Sequence, residues 1–200
     1  RLHVKTPKSL EAVELAVGPG RPPITVSTLK EAEQFFDAGY RDILYAVGFS
    51  PAKATRARAL VARGCNLTII TDSLETARAI SGFRVLIEID TDGHRAGVKP
   101  EDEALIPLAR ALRESGNTVA GVMTHAGGSY DARSQATLRA IAEQERAGAV
   151  RAATRLREAG FEAPVVSVGS TPTAHFAERL DGVTEVRAGG NFEVTTDPGH

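Results

Sequence analysis

Tryptophan is absent from these 200 residues, cysteine and methionine occur once each, and aromatic residues make up only 5%. A lone cysteine, Cys65, cannot form an intrachain disulfide, so no disulfide framework holds the fold and a reducing compartment suits it. Neither sign of charge is in excess: 24 Lys and Arg against 25 Asp and Glu leave a net charge of −1. That balance gives no electrostatic case for nucleic acid or for an anionic membrane surface. No apolar run approaches the roughly 20 residues that cross a bilayer, and no signal peptide is visible. What is left, 42% hydrophobic and 24% charged, is ordinary for a globular chain of one sizeable core. The chain opens without Met beside a strand and closes on a turn, Asp197-Pro198-Gly199-His200. It therefore reads as one domain, residues 1–200, cut from a longer protein, with a cytoplasmic location expected.

Short apolar runs alternate with longer segments of helical period. The runs fall at 2–6, 24–27, 42–47, 67–71, 84–90, 118–125, 164–169 and 183–187. Between them, apolar residues recurring at three and four predict helices over 9–17, 28–38, 52–63, 73–80, 101–115, 134–159 and 173–180. Gly39, Gly64 and Gly160 stand where C-terminal caps belong. Ser73, and Ser170 or Thr171, stand where N-caps belong, with Pro172 near the first helical position. Strand–helix alternation with this count predicts an α/β fold, a (β/α)8 TIM-type barrel lacking its last helix. A doubly wound open sheet is the rival. It usually has fewer strands and a glycine-rich first turn, and the first turn here, Thr6-Pro7-Lys8-Ser9, has no glycine.

The first strand carries the most pointed signal. Alternation puts Leu2 and Val4 on one face and His3 and Lys5 on the other. In a barrel, Leu2 and Val4 then pack under the helices, and His3 and Lys5 point inward. An interior lysine is disfavoured unless paired, neutralised or used covalently, and a lysine that gives up its proton readily serves Schiff-base chemistry. The other C-terminal strand ends supply Asp90 to Arg95, His125 to Tyr130, Gly169 to Thr173 and Arg187 to Asn191. Such barrels work at that rim, and the loops after strands seven and eight often bind phosphate. An inward lysine facing a phosphate cradle suggests pyridoxal phosphate. Taken singly, each part has a structural alternative. Lys5 could pair with Asp90 or Glu88, Arg95 with Asp92, and His125 could be a bonded core histidine. Gly169 to Thr173 could simply start a helix, and Gly189-Gly190-Asn191 could be a turn. Their joint placement at one rim favours the site.

Five segments carry a resemblance over nearly the whole chain, in order. They are His3-Val4-Lys5-Thr6-Pro7-Lys8; Ile87 to Val98; Thr124-His125-Ala126-Gly127-Gly128-Ser129-Tyr130; Ser167 to Thr173; and Arg187-Ala188-Gly189-Gly190-Asn191-Phe192. Together they resemble the D-threonine aldolase / D-serine dehydratase family of fold-type III pyridoxal-phosphate enzymes, distant relatives of alanine racemase. The chain departs from the usual pattern at Pro7, where His is common, and at Leu2 and Ala188, where Pro is common.

The resemblance implies a barrel followed by a β-rich C-terminal domain that is absent from this chain. It implies Lys5 as the Schiff-base lysine, His125 against the cofactor ring, Arg95 near its phenolic oxygen and Tyr130 lining the pocket. Ser170 and Thr171 with Gly189, Gly190 and Asn191 would hold its phosphate, and Arg187 would also bind the cofactor. The family's divalent metal, Zn or Mn, would be bound by the C-terminal domain, so no metal ligand is expected here. The implied activity is a lyase acting on a small β-hydroxy-D-amino acid in a homodimer. Retro-aldol cleavage to glycine plus an aldehyde is the leading expectation and D-serine-type dehydration the alternative. An amino-acid racemase and a non-catalytic pyridoxal-phosphate homeostasis protein are further alternatives. A barrel acting on a phosphorylated sugar without cofactor is a last rival.

Overall fold

The computed structural model describes residues 1–189. Eight strands run in chain order: β1 (Leu2–His3), β2 (Ile24–Val26), β3 (Asp42–Gly48), β4 (Asn66–Thr71), β5 (Arg84–Ile89), β6 (Thr118–Thr124), β7 (Val165–Val168) and β8 (Glu185–Val186). All pair in parallel with their sequence neighbours in one sheet. The sheet curls until its ends meet. The Arg1 amine donates to the Val186 carbonyl at 2.6 Å, the His3 amide donates to Ala188 at 2.9 Å, and a parallel bridge joins Leu2 to Ala188. The expected barrel is therefore the observed one.

Helices α1 (Leu10–Val17), α2 (Leu29–Asp37), α3 (Ala54–Ala62), α4 (Leu74–Ala79), α5 (Leu105–Glu114), α6 (Gln135–Glu158) and α7 (Thr171–Phe176) form the connections. Their starts follow local chemistry. Thr28 and Glu31 make a reciprocal capping box on α2, and Ser9, Ser73, Ser134 and Ser170 cap α1, α4, α6 and α7. Ser170 thus takes the cap that was open between it and Thr171. Cys65 lies buried just before β4, not within it.

Period-two alternation sorts the strand residues into two apolar layers. Ile24, Val26, Ile43, Tyr45, Ile69, Val85, Ile87 and Val166 face outward and pack with helix residues such as Phe35, Leu60, Leu108 and Leu156. Leu44, Ile70, Leu86, Ala120 and Met123 fill the barrel's middle. A register shift between β5 and β6, where Val85 pairs Val119 but Leu86 pairs Gly121, keeps both Ala120 and Met123 inside. Above and below this plug the interior is polar. At the N-terminal end of the strands, Arg1 pairs with Asp42 at 2.9 Å and Glu185 at 2.7 Å. At the C-terminal end stand His3, Thr25, Glu88 and Arg187.

One glycine decides how β7 meets β8. Gly169 has φ +128°, and a Cβ there would overlap the Arg187 carbonyl and lie 2.9 Å from the Arg187 nitrogen. Only a residue without a side chain lets the two strands approach this closely.

Candidate active site

The strand C-termini gather the residues singled out in the sequence into one mouth. Val4 is buried outward, as the alternation requires, and His3 takes the inward position. Lys5 departs from expectation: it is exposed rather than desolvated inside the barrel. β1 ends at His3, and Val4 makes the last ladder bond, to Thr25 at 2.9 Å. The chain then turns, with Lys8 donating to the Val4 carbonyl at 3.0 Å, so Lys5 sits at the lip in a turn. Among the described residues no ion pair engages Lys5, so neither Asp90 nor Glu88 is its partner.

Those carboxylates point elsewhere. Asp90 accepts the amides of Asp92 and Gly93, at 3.3 and 2.8 Å. Asp92 accepts those of His94 and Gly128, at 3.1 and 2.8 Å, rather than pairing with Arg95. Asp72 accepts the Gly97 amide at 2.8 Å. Together they pin the loop after β5. Arg95 is exposed on that loop, and its side chain crosses Gly127: a Cβ there would lie 2.8 Å from the Arg95 Cγ.

His125, at the end of β6, lies nearly parallel to the ring of Tyr130, 22° apart with centroids 5.9 Å apart. Its Nδ1 is 3.1 Å from the Gly169 carbonyl. A carbonyl only accepts, so Nδ1 carries the proton and Nε2 keeps a lone pair. Burial, the Arg187 and Arg95 charges and, more weakly, Lys5 push its pKa down to about 4 against the Gly169 bond. His3 is pushed down to about 3 by burial, then by Lys5, Arg187 and His125. Its Nδ1 accepts the Lys5 amide at 3.3 Å and its Nε2 lies 3.5 Å from the Ser27 hydroxyl. Both rings are thus neutral near pH 7, in a mouth where cations dominate.

Arg187 lies beneath the mouth, 4% exposed. It donates to the carbonyls of Thr124 and Gly169, the latter at 3.0 Å, which explains how a guanidinium is tolerated there. Ser170 is equally buried. Its hydroxyl lies 2.7 Å from Ser129 and 3.0 Å from Thr173 and caps α7. Thr171 is half-buried and accepts the Gly189 amide at 3.2 Å, linking the loops after β7 and β8. Gly190 and Asn191 lie outside the described residues.

One residue of the neighbourhood escaped the sequence reading, and another entered it only as a possible partner of Lys5. Glu88 faces inward, 7% exposed, and its pKa rises to about 7 through burial and the nearby Asp72 charge, against Arg95 and Arg187. Glu145 is 2% exposed on α6. Its signal was present: it falls on the buried stripe of Ala142, Ala149, Ala152 and Leu156, where an unpartnered glutamate would be disfavoured. A cleft of ≈ 710 Å³ lies away from this mouth, in a trough between residues 90–93 and 99–101 and the outer side of α6. Its lining brings no comparable set of reactive groups together.

A comparison with protein families decides the affiliation: residues 1–191 match the alanine racemase N-terminal domain. The chain belongs to that family. Within the alanine racemase N-terminal domain family it is 54% identical over 198 residues to D-threo-3-hydroxyaspartate dehydratase of Delftia sp. (strain HT23), covering 94% of this chain and 52% of that protein. The solved structure of the Delftia enzyme superposes with a TM-score of 0.90 at 53% identity over the same shares. D-serine dehydratase of Dictyostelium discoideum is 26% identical, over 94% of this chain and 54% of its own length. D-threonine aldolase from Filomicrobium marinum, 24% identical over 94% of this chain and 53% of its own, has the same fold with a TM-score of 0.83. The chain spans about half the length of these relatives. This is the fold-type III pyridoxal-phosphate class.

Proposed function

We propose that this chain is the cofactor-binding barrel of a pyridoxal-phosphate-dependent lyase that dehydrates a β-hydroxy-D-amino acid. The observation that carries the reading is the 54% identity to D-threo-3-hydroxyaspartate dehydratase over nearly the whole chain. That relative, with the D-serine dehydratase, moves dehydration ahead of retro-aldol cleavage, because the D-threonine aldolase supports the fold alone. The whole protein is read as this barrel plus a β-rich domain, acting as a homodimer.

The mouth suits the cofactor. A phosphorylated pyridine aldehyde needs an accessible amine, a flat wall, a cation for its phenolate and small residues around its phosphate. Lys5 is exposed, and His125 and Tyr130 stack. Arg95 lies beside His125 closely enough to depress its pKa, and Thr171 and Gly189 meet across two loops. Bound there, pyridoxal phosphate supplies an electron sink for negative charge at the substrate α-carbon. Lys5 would hold the cofactor and, freed by the substrate amine, would take the α-proton and pass it to the β-hydroxyl, which would leave as water as the Cβ–O bond breaks. Neutral His125 presents its ring face without adding charge, and Arg95 neutralises an anionic oxygen. Among the described residues no group of three or more His, Cys, Asp or Glu side chains is placed to hold a metal ion. Ligands for the family's divalent metal would come from the second domain.

The test is product analysis. The full-length protein incubated with D-threo-3-hydroxyaspartate, D-serine and D-threonine should release ammonia and a keto acid. Glycine and an aldehyde would favour the aldolase, and racemised substrate the racemase. Cofactor binding without turnover would favour the homeostasis role.

A further inference from the structure

Two loops of the mouth come from different strands, yet one carboxylate touches both. Glu145 Oε1 accepts the amide of Ala126, the residue after His125, at 2.9 Å, and the amide of Gly169, the residue before Ser170, at 3.2 Å. Its Oε2 accepts the Thr173 hydroxyl at 2.7 Å, and Thr173 in turn bonds Ser170 in the capping box of α7. We propose that Glu145 is a positioning residue that fixes the spacing between the His125–Tyr130 segment after β6 and the start of α7 at Ser170–Thr173. The inference rests on the reading of this mouth as the cofactor site.

The burial of Glu145 argues that the arrangement is specific. A carboxylate in this setting is strongly disfavoured unless its oxygens are satisfied. Here all of its bonds go to groups after β6 and β7, 19 to 28 residues away, and none stays on its own helix. A helix of 24 residues is a stiff mount, so the carboxylate acts as a fixed reference for two irregular segments. Arg187, which supports the Gly169 carbonyl from the other side, is the positive charge acting on Glu145. Gly169 is therefore held by its amide from α6 and by its carbonyl from β8 and His125. A ring seated against His125 and a phosphate seated at Thr171 would have their separation set by this bridge.

The experiment compares pyridoxal phosphate with pyridoxal, which lacks the phosphate, on full-length protein carrying Glu145→Ala or Glu145→Gln. Glu145→Ala should weaken pyridoxal phosphate about tenfold or more, as loss of charge-assisted bonds does, while pyridoxal changes less than about twofold. Glu145→Gln keeps an oxygen for the two amides and should recover part of the loss, leaving about threefold. Equal weakening of both ligands would mean general damage to the fold and would overturn the proposal, as would unchanged pyridoxal phosphate affinity in both variants. If Glu145→Ala does not fold, Glu145→Gln decides alone: unchanged preference for the phosphorylated ligand refutes the bridge. Amide hydrogen exchange at Ala126 and Gly169 in the cofactor-free protein is a separate arm. Exchange there should accelerate about tenfold in Glu145→Ala, while β4 amides stay protected; unchanged exchange overturns the proposal. A wild-type protein that binds no pyridoxal phosphate but shows the exchange effect would refute the cofactor reading and leave the bridge standing.

Discussion

The two ends of the barrel handle charge in opposite ways. At the N-terminal end, the Arg1 guanidinium meets the carboxylates of Asp42 and Glu185 directly. At the C-terminal end the acids turn away from the cations: Asp72, Asp90, Asp92 and Glu145 all accept backbone amides. Lys5 and Arg95 are left outside any ion pair among the described residues. An end whose charges cancel internally contributes to stability. An end with Lys5 and Arg95 outside any ion pair, two neutral imidazoles and these four acids bonded to backbone amides suits the anionic cofactor proposed above.

The sharpest way to break this contrast is at Lys5. Lys5→Ala in the full-length protein should lower turnover by about 10³-fold or more, the range of a lost acid–base group. Borohydride treatment and peptide mapping should no longer fix the cofactor to the chain. Trapping on Lys8 instead would reassign the lysine. The matching change at the other end, Glu185→Ala, strips a partner from half-buried Arg1 and from fully buried Ser167. It should lower unfolding free energy by about 2–3 kcal/mol in urea titrations, below the range for fully buried pairs.

The polar contents of the C-terminal end also predict a pH signature. Glu88, pushed up to about 7, holds its proton in the folded state between roughly pH 4.5 and 7, where the unfolded chain has released it. Stability therefore falls as pH rises through that window. Glu88→Gln should stabilise the protein above pH 7 by on the order of 1–2 kcal/mol and do nothing below pH 4. Equal effects at pH 4 and pH 8 would refute the assignment. His3 and His125, pushed down to about 3 and 4, act with the opposite sign: stability drops as pH falls below 6.5 toward those values. The smallest effect is expected at Asp42, whose side chain is 38% exposed. Asp42→Asn should change stability by less than about 1 kcal/mol and leave turnover as it was.

How far the sequence led depended on how local each signal was. The eight strands were legible because alternation and runs of Ile, Val and Leu are properties of adjacent residues, and the helix starts because their caps lie within four residues. Boundaries drifted where a distant contact decided them. The first strand was expected over 2–6, but pairing with β2 stops after Val4 and the chain turns. The helix expected from 101 begins at Leu105, because residues 99–102 form a turn with Asp102 donating to the Lys99 carbonyl. The helix expected over 173–180 starts two residues earlier at its Ser170 cap and stops at Phe176. Lys5, Arg95, His125, Tyr130, Ser170, Thr171 and Arg187 do converge on one mouth, but the desolvation argument for Lys5 did not hold. Of the two residues expected to face inward, His3 does so and Lys5 does not. Glu145 escaped because its partners lie 19 to 28 residues ahead of it or behind it, and no periodicity reports which backbone amides will arrive there.

The seam of the barrel has a consequence for synthesis. The contacts that close the ring join residues 1–3 to residues 186–188, a separation of 185 positions for the Arg1 amine. The first strand cannot find its second neighbour until residues 186–188 have left the ribosome, and long-range closure is intrinsically slow. Until then β1 offers an open edge, the kind of surface that recruits other chains. Pulse-labelled nascent chains halted before residue 186 should be protease-sensitive around β1 and engaged by chaperones, and release of the completed seam should end both.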